Sequence, residues 1–530
     1  MSTEPLLLRS GSTNQAIFLI GDGALETSSL AQIDSALAVY QLSARVAAAS
    51  GLRTVQGIAA YLRAQVRSVQ KDGPYRLVGR GLEGVLAYEL AVQLLGVDES
   101  VSLLGMIGAS CLDWPTRFRA RSVAPGQAAD PQSAVLQRAV LEYDVPKSPL
   151  TMHLFASDQS DASTGWDAVV QPSRVVRVPI AASSAVFDSA LWGAAELAAI
   201  GSLLAQAPTN PRPSAAPLHE AAYLTIQSGT RHVAPVFCVP GAGASATDFV
   251  ALAGALGATR TVHGFQARGM DGTCLPHTSV EAAARVYLKG VANHCPRGPL
   301  SLVGHSFGGW VAFEMALRLQ AAGRVVASLT LLDSDYPGGL GRVGKEYTRP
   351  EALLSLVSLY EQAAERSLDI CLADFEQRDP VAQLAFLHAR LVRTGLLPVR
   401  STPAALTGAV SSFEAALRTQ YRPQGSFAGN VTLVLVPEVG ESAAAAEQRF
   451  DRVAAGWRGL APKLQVRRGS GNHVTLLKQA NVSALAQWVS EYDALQRAAA
   501  ELPASLLGLP QSVPGAPPSR FRTNGSAGGA

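Results

Sequence analysis

Few features of the sequence indicate export, metal binding or nucleic-acid binding. The 530 residues include five cysteines at scattered positions, which favours reduced thiols over a disulfide framework or a zinc site. No apolar run reaches the ~18 residues of a membrane span, and the polar N-terminus does not resemble an export signal. The net charge of +3, with 16% charged residues, is too small to form a nucleic-acid-binding surface. These absences predict a cytoplasmic protein without a metal, a cofactor or a nucleic-acid partner.

Composition and proline spacing divide the chain into two domains. Hydrophobic residues make up 48% of the sequence, enough for two cores. Four prolines between Ala205 and Pro217 indicate a semi-stiff linker, and the Pro- and Gly-rich C-terminus is typical of disorder. The predicted organisation is a first domain at 1–205, a linker at 206–221, a second domain at 222–502 and a disordered tail at 503–530.

One Gly-x-Ser-x-Gly motif, centred on Ser306, lies in the second domain. It follows a strand-like run at 300–303 and precedes a helical run that begins at Val311. A serine in a sharp turn between a strand and a helix is lifted off the sheet, where a neighbouring base can activate its hydroxyl. The motif therefore predicts a nucleophile elbow with Ser306 as the nucleophile.

Partners for this serine follow in the chain order of an α/β hydrolase. Asp333 comes directly after the buried strand-like run 329–332, and His473 lies in a Gly- and Ser-rich turn after a late strand. Upstream, a buried strand at 236–239 leads into the small-residue turn Pro240-Gly241-Ala242-Gly243-Ala244. The predicted oxyanion donors are the backbone N–H groups of Ala242 and Phe307. The turn lacks the Lys-Ser/Thr ending of a phosphate-binding loop.

Residues 222 to about 495 resemble the thioesterase domains of nonribosomal peptide and polyketide synthases. The segments that carry the resemblance are Tyr223 to Ala244, Gly304 to Gly309 with Ala312, Phe313 and Glu314, Leu331 to Asp333, Tyr421 to Pro423, Gly429 to Leu433, and Gly471 to His473 with Leu476 and Leu477. The resemblance covers about half of the chain. It implies that a chain carried on phosphopantetheine acylates Ser306 and that His473, oriented by Asp333, activates water or an internal nucleophile. Some members place the acid after a later strand, which makes Glu438 the alternative.

A helical insertion is predicted between residues 336 and 425. Two apolar stripes at helical spacing, one around Leu353 and one around Leu387, indicate amphipathic helices. The resemblance implies that this segment forms a lid over the acyl channel.

The sequence of the first domain resembles a second copy of the second domain that has lost its catalytic residues. Gly73 to Gly79 aligns with Gly298 to Gly304, and Ala87-Tyr88-Glu89 aligns with Ala312-Phe313-Glu314. At the same offset, Gly81 takes the place of Ser306 and Gly108 that of Asp333, while Ser183 or Ser184 aligns with His473. His153, the only histidine of this half, is predicted to be structural. The fold class is therefore two α/β-hydrolase-like domains in tandem, the first degenerate and poor in lid residues.

Three functions fit these features. The leading hypothesis is a thioesterase that releases an acyl, peptidyl or polyketide chain from a carrier protein or synthase module, by hydrolysis or cyclisation. The alternatives are a free esterase or acyltransferase of the same fold and a scaffold protein centred on the degenerate domain. No Gly-x-Asp-Ser-Leu carrier motif occurs in the chain. The carrier is therefore expected to act in trans, or the chain is expected to be a C-terminal piece of a longer synthase.

Overall fold

The computed structural model describes two α/β units along the chain. The described residues are 4–25, 27–112, 116–117, 120, 131–156, 165–180, 191–192, 194–206, 223–230, 233–339 and 346–501. The predicted linker, from residue 207 on, and the predicted tail 503–530 lie outside these residues.

The first unit is built on a mixed seven-stranded sheet. Its strands are β1 (Leu6–Arg9), β2 (Ala16–Ile20), β4 (Ala38–Leu42), β5 (Tyr75–Arg80), β6 (Val101–Ile107), β7 (Met152–Ala156) and β8 (Val175–Pro179), with β3 (Ala24–Leu25) and β9 (Leu191–Trp192) forming a separate pair. The order in the sheet is β1-β4-β2-β5-β6-β7-β8, and only β1 is antiparallel to its neighbour. Strand β2 is buried along its whole length, as expected for a central strand covered on both faces.

Helices cover both faces of this sheet. They are α1 (Ala44–Ala49), α2 (Val55–Val69), α3 (Leu82–Gly96), α4 (Pro131–Glu142) and α5 (Ala194–Gln206). Helix α2 buries an apolar stripe that includes Ile58, Leu62 and Val66, and the Thr54 side chain caps its N-terminus. Helix α3 is buried nearly all round because it lies between the sheet and α2.

The second unit repeats the same sheet. Its strands are β10 (Tyr223–Gln227), β11 (Val236–Val239), β12 (Val262–Phe265), β13 (Leu300–His305), β14 (Val326–Leu332), β15 (Val431–Leu435) and β16 (Leu464–Arg468). They are ordered β10-β12-β11-β13-β14-β15-β16, again with one antiparallel edge strand, β10. Strand for strand, this is the order of the first sheet. The prediction of two α/β-hydrolase-like domains in tandem is confirmed.

The two units differ most in the segment between their fifth and sixth sheet strands. The second unit contains α6 (Val250–Ala255), α7 (Val280–His294), α8 (Phe307–Ala321), α9 (Arg349–Ala364), α10 (Leu372–Glu376), α11 (Pro380–Arg393), α12 (Thr407–Arg418), α13 (Ala443–Arg458) and α14 (Val482–Glu501). Helices α9 to α12 form the predicted insertion between β14 and β15 and share an apolar cluster of their own. At the equivalent place in the first unit, α4 lies between β6 and β7.

A buried acid is paired in the same way in both units. Glu89 on α3 accepts a hydrogen bond from the hydroxyl of Tyr143 at 2.5 Å, and Glu314 on α8 accepts one from Tyr421 at 2.8 Å. A buried carboxyl group requires such a donor, because leaving it unpaired would be strongly destabilising. The duplicated pair shows that the first unit retains the internal hydrogen bonding of the fold.

Candidate active site

The turn between β13 and α8 holds Ser306 in a strained backbone conformation. Its φ and ψ angles are 53° and −123°, a region that residues with a side chain seldom adopt. The Ser306 amide donates to the carbonyl of Leu332 at 2.9 Å, which ties the turn to the end of β14. This is the geometry of a nucleophile elbow.

Two glycines of the motif allow the elbow to pack closely. A Cβ at Gly304 would lie 2.4 Å from the carbonyl oxygen of Gly308, and one at Gly309 would lie 2.4 Å from the Ser334 hydroxyl. Ser334 in turn donates to the carbonyl of Ser306 at 2.8 Å. The motif therefore contains glycine for steric reasons at both positions, not only for flexibility.

Asp333 and His473 meet at the C-terminal edge of the sheet. The Nδ1 atom of His473 lies 2.7 Å from Oδ2 of Asp333, and the backbone amide of Val436 donates to the other carboxylate oxygen at 3.3 Å. Asp333 follows β14 directly with a φ of 43°. Strand ends place catalytic groups at this edge in α/β sheets. A carboxylate on Nδ1 fixes the imidazole so that Nε2 is the basic nitrogen.

The loop that carries His473 is held by its neighbour in sequence. Asn472 accepts hydrogen bonds from the amides of Val474 and Thr475 at 3.0 and 2.9 Å, and its own amide donates to the Thr475 hydroxyl at 2.9 Å. Gly471 adopts a φ of +85° where the loop turns. These contacts orient the imidazole from a rigid turn.

Glu438, the alternative acid, forms an ion pair with Arg449. Its side chain is 63% exposed and its carboxylate lies 3.5 Å from Arg449. Arg449 also donates to the carbonyl of Val436 at 2.7 Å, so it supports the backbone next to Asp333. The geometry favours Asp333 over Glu438 as the group that orients His473.

His305 is a feature that the sequence analysis missed. It precedes Ser306, it is buried, and its Nε2 atom lies 2.8 Å from the backbone carbonyl of His473. Burial lowers the pKa of His305 to about 3, so the ring is neutral near pH 7 and donates to this carbonyl through Nε2. The signal in the sequence was the histidine at the variable position directly before Ser306. A side chain at that position faces the loop that carries His473.

His305, which is buried, and His277, which is partly buried, make the stability of the fold depend on pH. Burial lowers the pKa of both His305 and His277 to about 3, against about 6.5 in an unfolded chain. Below pH ~6.5 the unfolded chain binds protons on these rings that the folded chain does not, so the free energy of unfolding falls as pH falls. The decrease is up to ~1.4 kcal/mol per pH unit for each ring. We expect His277→Gln to reduce the slope of the free energy of unfolding, measured between pH 7 and pH 4.5; an unchanged slope would contradict this account.

The predicted oxyanion donors flank the elbow. A Cβ at Gly241 would lie 3.3 Å from the Cβ of Ser306, so the turn that contains Ala242 packs directly against the nucleophile. Phe307 is the first residue of α8, where backbone N–H groups lack partners within the helix. The turn that contains Ala242 and the start of α8 therefore meet beside Ser306, and the assignment of the two N–H groups as oxyanion donors stays a prediction.

The first unit keeps the elbow without its chemistry. Gly81 has φ and ψ angles of 55° and −123°, nearly those of Ser306, and its amide donates to the carbonyl of Ile107 at 2.8 Å. Gly108, at the acid position, has a φ of 57°. A glycine has no hydroxyl or carboxylate to supply. Ser183 and Ser184, aligned with His473, lie outside the described residues.

The residue that precedes Gly81 forms an ion pair, and the one histidine of the first unit lies on a strand. Arg80, at the position of His305, lies 3.6 Å from the carboxylate of the fully buried Glu196. His153 lies on β7, where burial lowers its pKa.

Over the described part of the chain, no three His, Cys, Asp or Glu side chains cluster in a way that could bind a metal ion. The helices described here also include none that is long and apolar enough to cross a membrane.

Comparison with known protein families identifies the family of this chain. The thioesterase domain family matches residues 25–132 and 234–491, which together make up more than half of the chain. The chain belongs to the thioesterase domain family. One matched segment lies in each unit, so the family relationship extends to the domain that lacks a nucleophile.

Curated relatives of this thioesterase chain are nonribosomal peptide and polyketide synthases. Indigoidine synthase of Dickeya dadantii (strain 3937) is 39% identical over 104 residues, which cover 20% of this chain and 7% of that synthase. A dimodular nonribosomal peptide synthase of Bacillus subtilis (strain 168) is 32% identical over 213 residues, 38% of this chain and 8% of that protein. Bikaverin polyketide synthase of Gibberella fujikuroi is 35% identical over 127 residues, 23% and 6% of the two chains. The chain thus spans less than a tenth of the length of each of these relatives.

Solved thioesterase structures are also similar to this chain. The NocB thioesterase domain in covalent complex with a fluorophosphonate nocardicin G analog is 24% identical, with a TM-score of 0.34, covering 52% of this chain and 99% of that one. The type II thioesterase BorB from the borrelidin biosynthetic cluster is 19% identical, with a TM-score of 0.36, covering 51% and 95%.

Proposed function

We propose that the second domain is a serine thioesterase that releases an acyl, peptidyl or polyketide chain from a phosphopantetheine carrier protein. The observation that carries the proposal is the 2.7 Å contact between Asp333 and His473 at the sheet edge that also holds the strained Ser306 elbow. Membership of the thioesterase family and similarity to peptide and polyketide synthases support the substrate class.

The first half of the reaction transfers the chain to the enzyme. His473 takes the proton of the Ser306 hydroxyl as the oxygen attacks the thioester carbonyl. The N–H groups of Ala242 and Phe307 stabilise the negative oxygen of the tetrahedral intermediate. The carbon–sulfur bond then breaks, His473 returns the proton to the departing thiolate, and an ester on Ser306 remains.

The second half releases the product. His473 removes a proton from water, or from a nucleophile within the bound chain, as that group attacks the Ser306 ester. Collapse of the second intermediate breaks the ester bond, and His473 returns the proton to the serine oxygen. Water yields a free acid and an internal nucleophile yields a ring. Asp333 stabilises the imidazolium that forms in both halves. No resident cofactor takes part in these steps, and phosphopantetheine arrives with the substrate.

The substrate class is tested by presenting one acyl group in two forms. A phosphopantetheine carrier protein loaded with an octanoyl group is compared with the octanoyl ester of p-nitrophenol, and the release rates are measured with the full chain. We expect a higher kcat/KM for the carrier-bound octanoyl group, because the carrier adds binding energy. A preference for the small ester would instead support a free esterase of the same fold.

A further inference from the structure

The lid is the insertion formed by helices α9 to α12. One carboxylate of the second domain, just before α9, contacts the first domain. Glu346 lies three residues before α9, and it accepts hydrogen bonds from the backbone amide of Thr54 at 3.1 Å and the Thr54 hydroxyl at 2.6 Å. The amide of Arg53 donates to the same carboxylate. Thr54 is the N-cap of α2. A side chain of the second domain therefore binds the N-cap residue of a helix of the first, at the end where the helix dipole favours a carboxylate.

A guanidinium at the start of α9 links the lid helices to each other and to the first domain. Arg349 donates to Gln383 of α11 at 3.1 Å and to Glu414 of α12 at 3.0 Å. The carboxylate of Asp144 in the first domain lies 3.6 Å from the same side chain. Arg349 is largely buried. A planar guanidinium with several fixed donors suits such a junction, because it constrains the direction of each partner.

Helix α12 also contacts the turn that contains the predicted oxyanion donor Ala242. A Cβ at Gly243 would lie 2.8 Å from the carbonyl oxygen of Ala409 and 3.0 Å from Cβ of Phe413, both on α12. Ala242 packs against the apolar cluster of the lid. The helix that holds Glu414 therefore lies directly against the turn that positions an oxyanion donor. A shift of α12 toward the turn must move atoms there, because little space separates them.

The rest of the interface between the lid and the first domain is not tightly packed. A cavity of about 2260 Å³ runs along it, and its walls include Tyr143 and Asp144 of the first domain and Arg349, Glu414 and Arg418 of the lid. Continuous packing would hold the helices by many small contacts, whereas a large cavity removes those contacts. The polar contacts at Glu346 and Arg349 are therefore the ones through which the first domain can act on the position of the lid helices.

We propose that the catalytically empty first domain is an internal clamp on the lid, and that Glu346 and Arg349 are positioning residues that determine substrate specificity. The inference rests on the proposed thioesterase function. The retained fold with Gly81 and Gly108 at the catalytic positions fits this role, since a clamp requires a rigid framework and no chemistry. The clamp acts on the size of the acyl chain that fits beneath α9 and α12.

A matched pair of Gly→Ala substitutions, each of which adds one methyl group, tests the clamp in the full chain. A Cβ at Gly57 of α2 would lie 1.9 Å from the Glu346 carboxylate and must displace it, whereas a Cβ at Gly96 of α3 would lie 2.4 Å from Thr278, outside the lid. Both are helical Gly→Ala changes at the boundary between the domains, and alanine has the higher helix propensity. We expect Gly57→Ala to speed amide hydrogen exchange in α9 and α12, and Gly96→Ala to leave it as in wild type.

The effect on substrate specificity is measured as the ratio of the kcat/KM values for two thioesters of different acyl-chain length. With decanoyl and acetyl thioesters of N-acetylcysteamine, we expect Gly57→Ala and Glu346→Gln to change the ratio of the two kcat/KM values by about 2- to 30-fold, the usual range for coupling between sites. Gly96→Ala should leave the ratio unchanged. Loss of the Asp144 contact in Asp144→Asn should shift the ratio in the same direction.

Two outcomes separate the clamp from the proposed function. Lid exchange that is unchanged in Gly57→Ala and Asp144→Asn, or an unchanged chain-length ratio in both, would overturn the clamp even if the wild type is fully active. Faster lid exchange in a protein that hydrolyses no thioester would refute the proposed function and support the clamp as a structural device.

Discussion

Replacing Ser306 with alanine is expected to abolish labelling by a fluorophosphonate and to lower thioester turnover by on the order of 10⁶-fold. The hydroxyl is the atom acylated in the proposed mechanism, and the elbow that presents it stores backbone strain at φ 53°. What remains is the contribution of binding and oxyanion donors, about 10³–10⁴-fold over water. Mass mapping of the adduct and kcat on a carrier-bound chain are the measurements. An adduct elsewhere, or unchanged turnover in Ser306→Ala, would refute the assignment.

The first domain offers a matched control for that experiment. Gly81 has almost the same backbone angles as Ser306, and no heavy atom lies within 4 Å of a Cβ placed there. Gly81→Ser in a Ser306→Ala background therefore has room for its side chain, with the same backbone strain that Ser306 bears. It should nevertheless restore neither labelling nor turnover, because Gly108 supplies no carboxylate. Recovery of labelling would show that the elbow alone activates a serine.

The sequence was sufficient to predict the fold because its signals are local and repeated. The buried strand runs, the elbow glycines and the offset between Gly81 and Ser306 are all visible in the sequence, and the two sheets have the same strand order. The helical insertion was predicted from apolar spacing, and α9 to α12 occupy that segment. The roles of Ser306, Asp333 and His473 stay predictions, although the structure brings the last two within 2.7 Å.

Contacts between distant residues could not be predicted in the same way. Glu346 and Thr54 are 292 positions apart, and nothing in either local sequence indicates that a carboxylate from one domain binds the N-cap residue of a helix in the other. The contact between His305 and the carbonyl of His473 likewise depends on how a loop returns to the sheet. Such contacts arise from tertiary packing between residues that are distant in sequence. No local motif or repeat in the sequence marks the residues that meet.

The orientation of His473 should depend on Asp333 and not on Glu438. Asp333→Asn is expected to keep the fold but to lower kcat by roughly 10³–10⁴-fold, because an amide at this position can donate to Nδ1 and so favours the wrong imidazole tautomer. The amide of Val436, which donates to Asp333 at 3.3 Å, retains an oxygen acceptor in this variant, so the melting temperature should change little.

Glu438→Gln is the matched control for Asp333→Asn, since both exchange a carboxylate for an amide. The Glu438 side chain is 63% exposed and faces Arg449, so its charge is largely screened by solvent and its loss should leave kcat within about twofold of wild type. The comparison is made by measuring kcat and KM of both variants on the same thioester. A large decrease in Glu438→Gln with little effect in Asp333→Asn would move the acid to the strand after the lid, and the 2.7 Å contact between Asp333 and His473 would then be structural only.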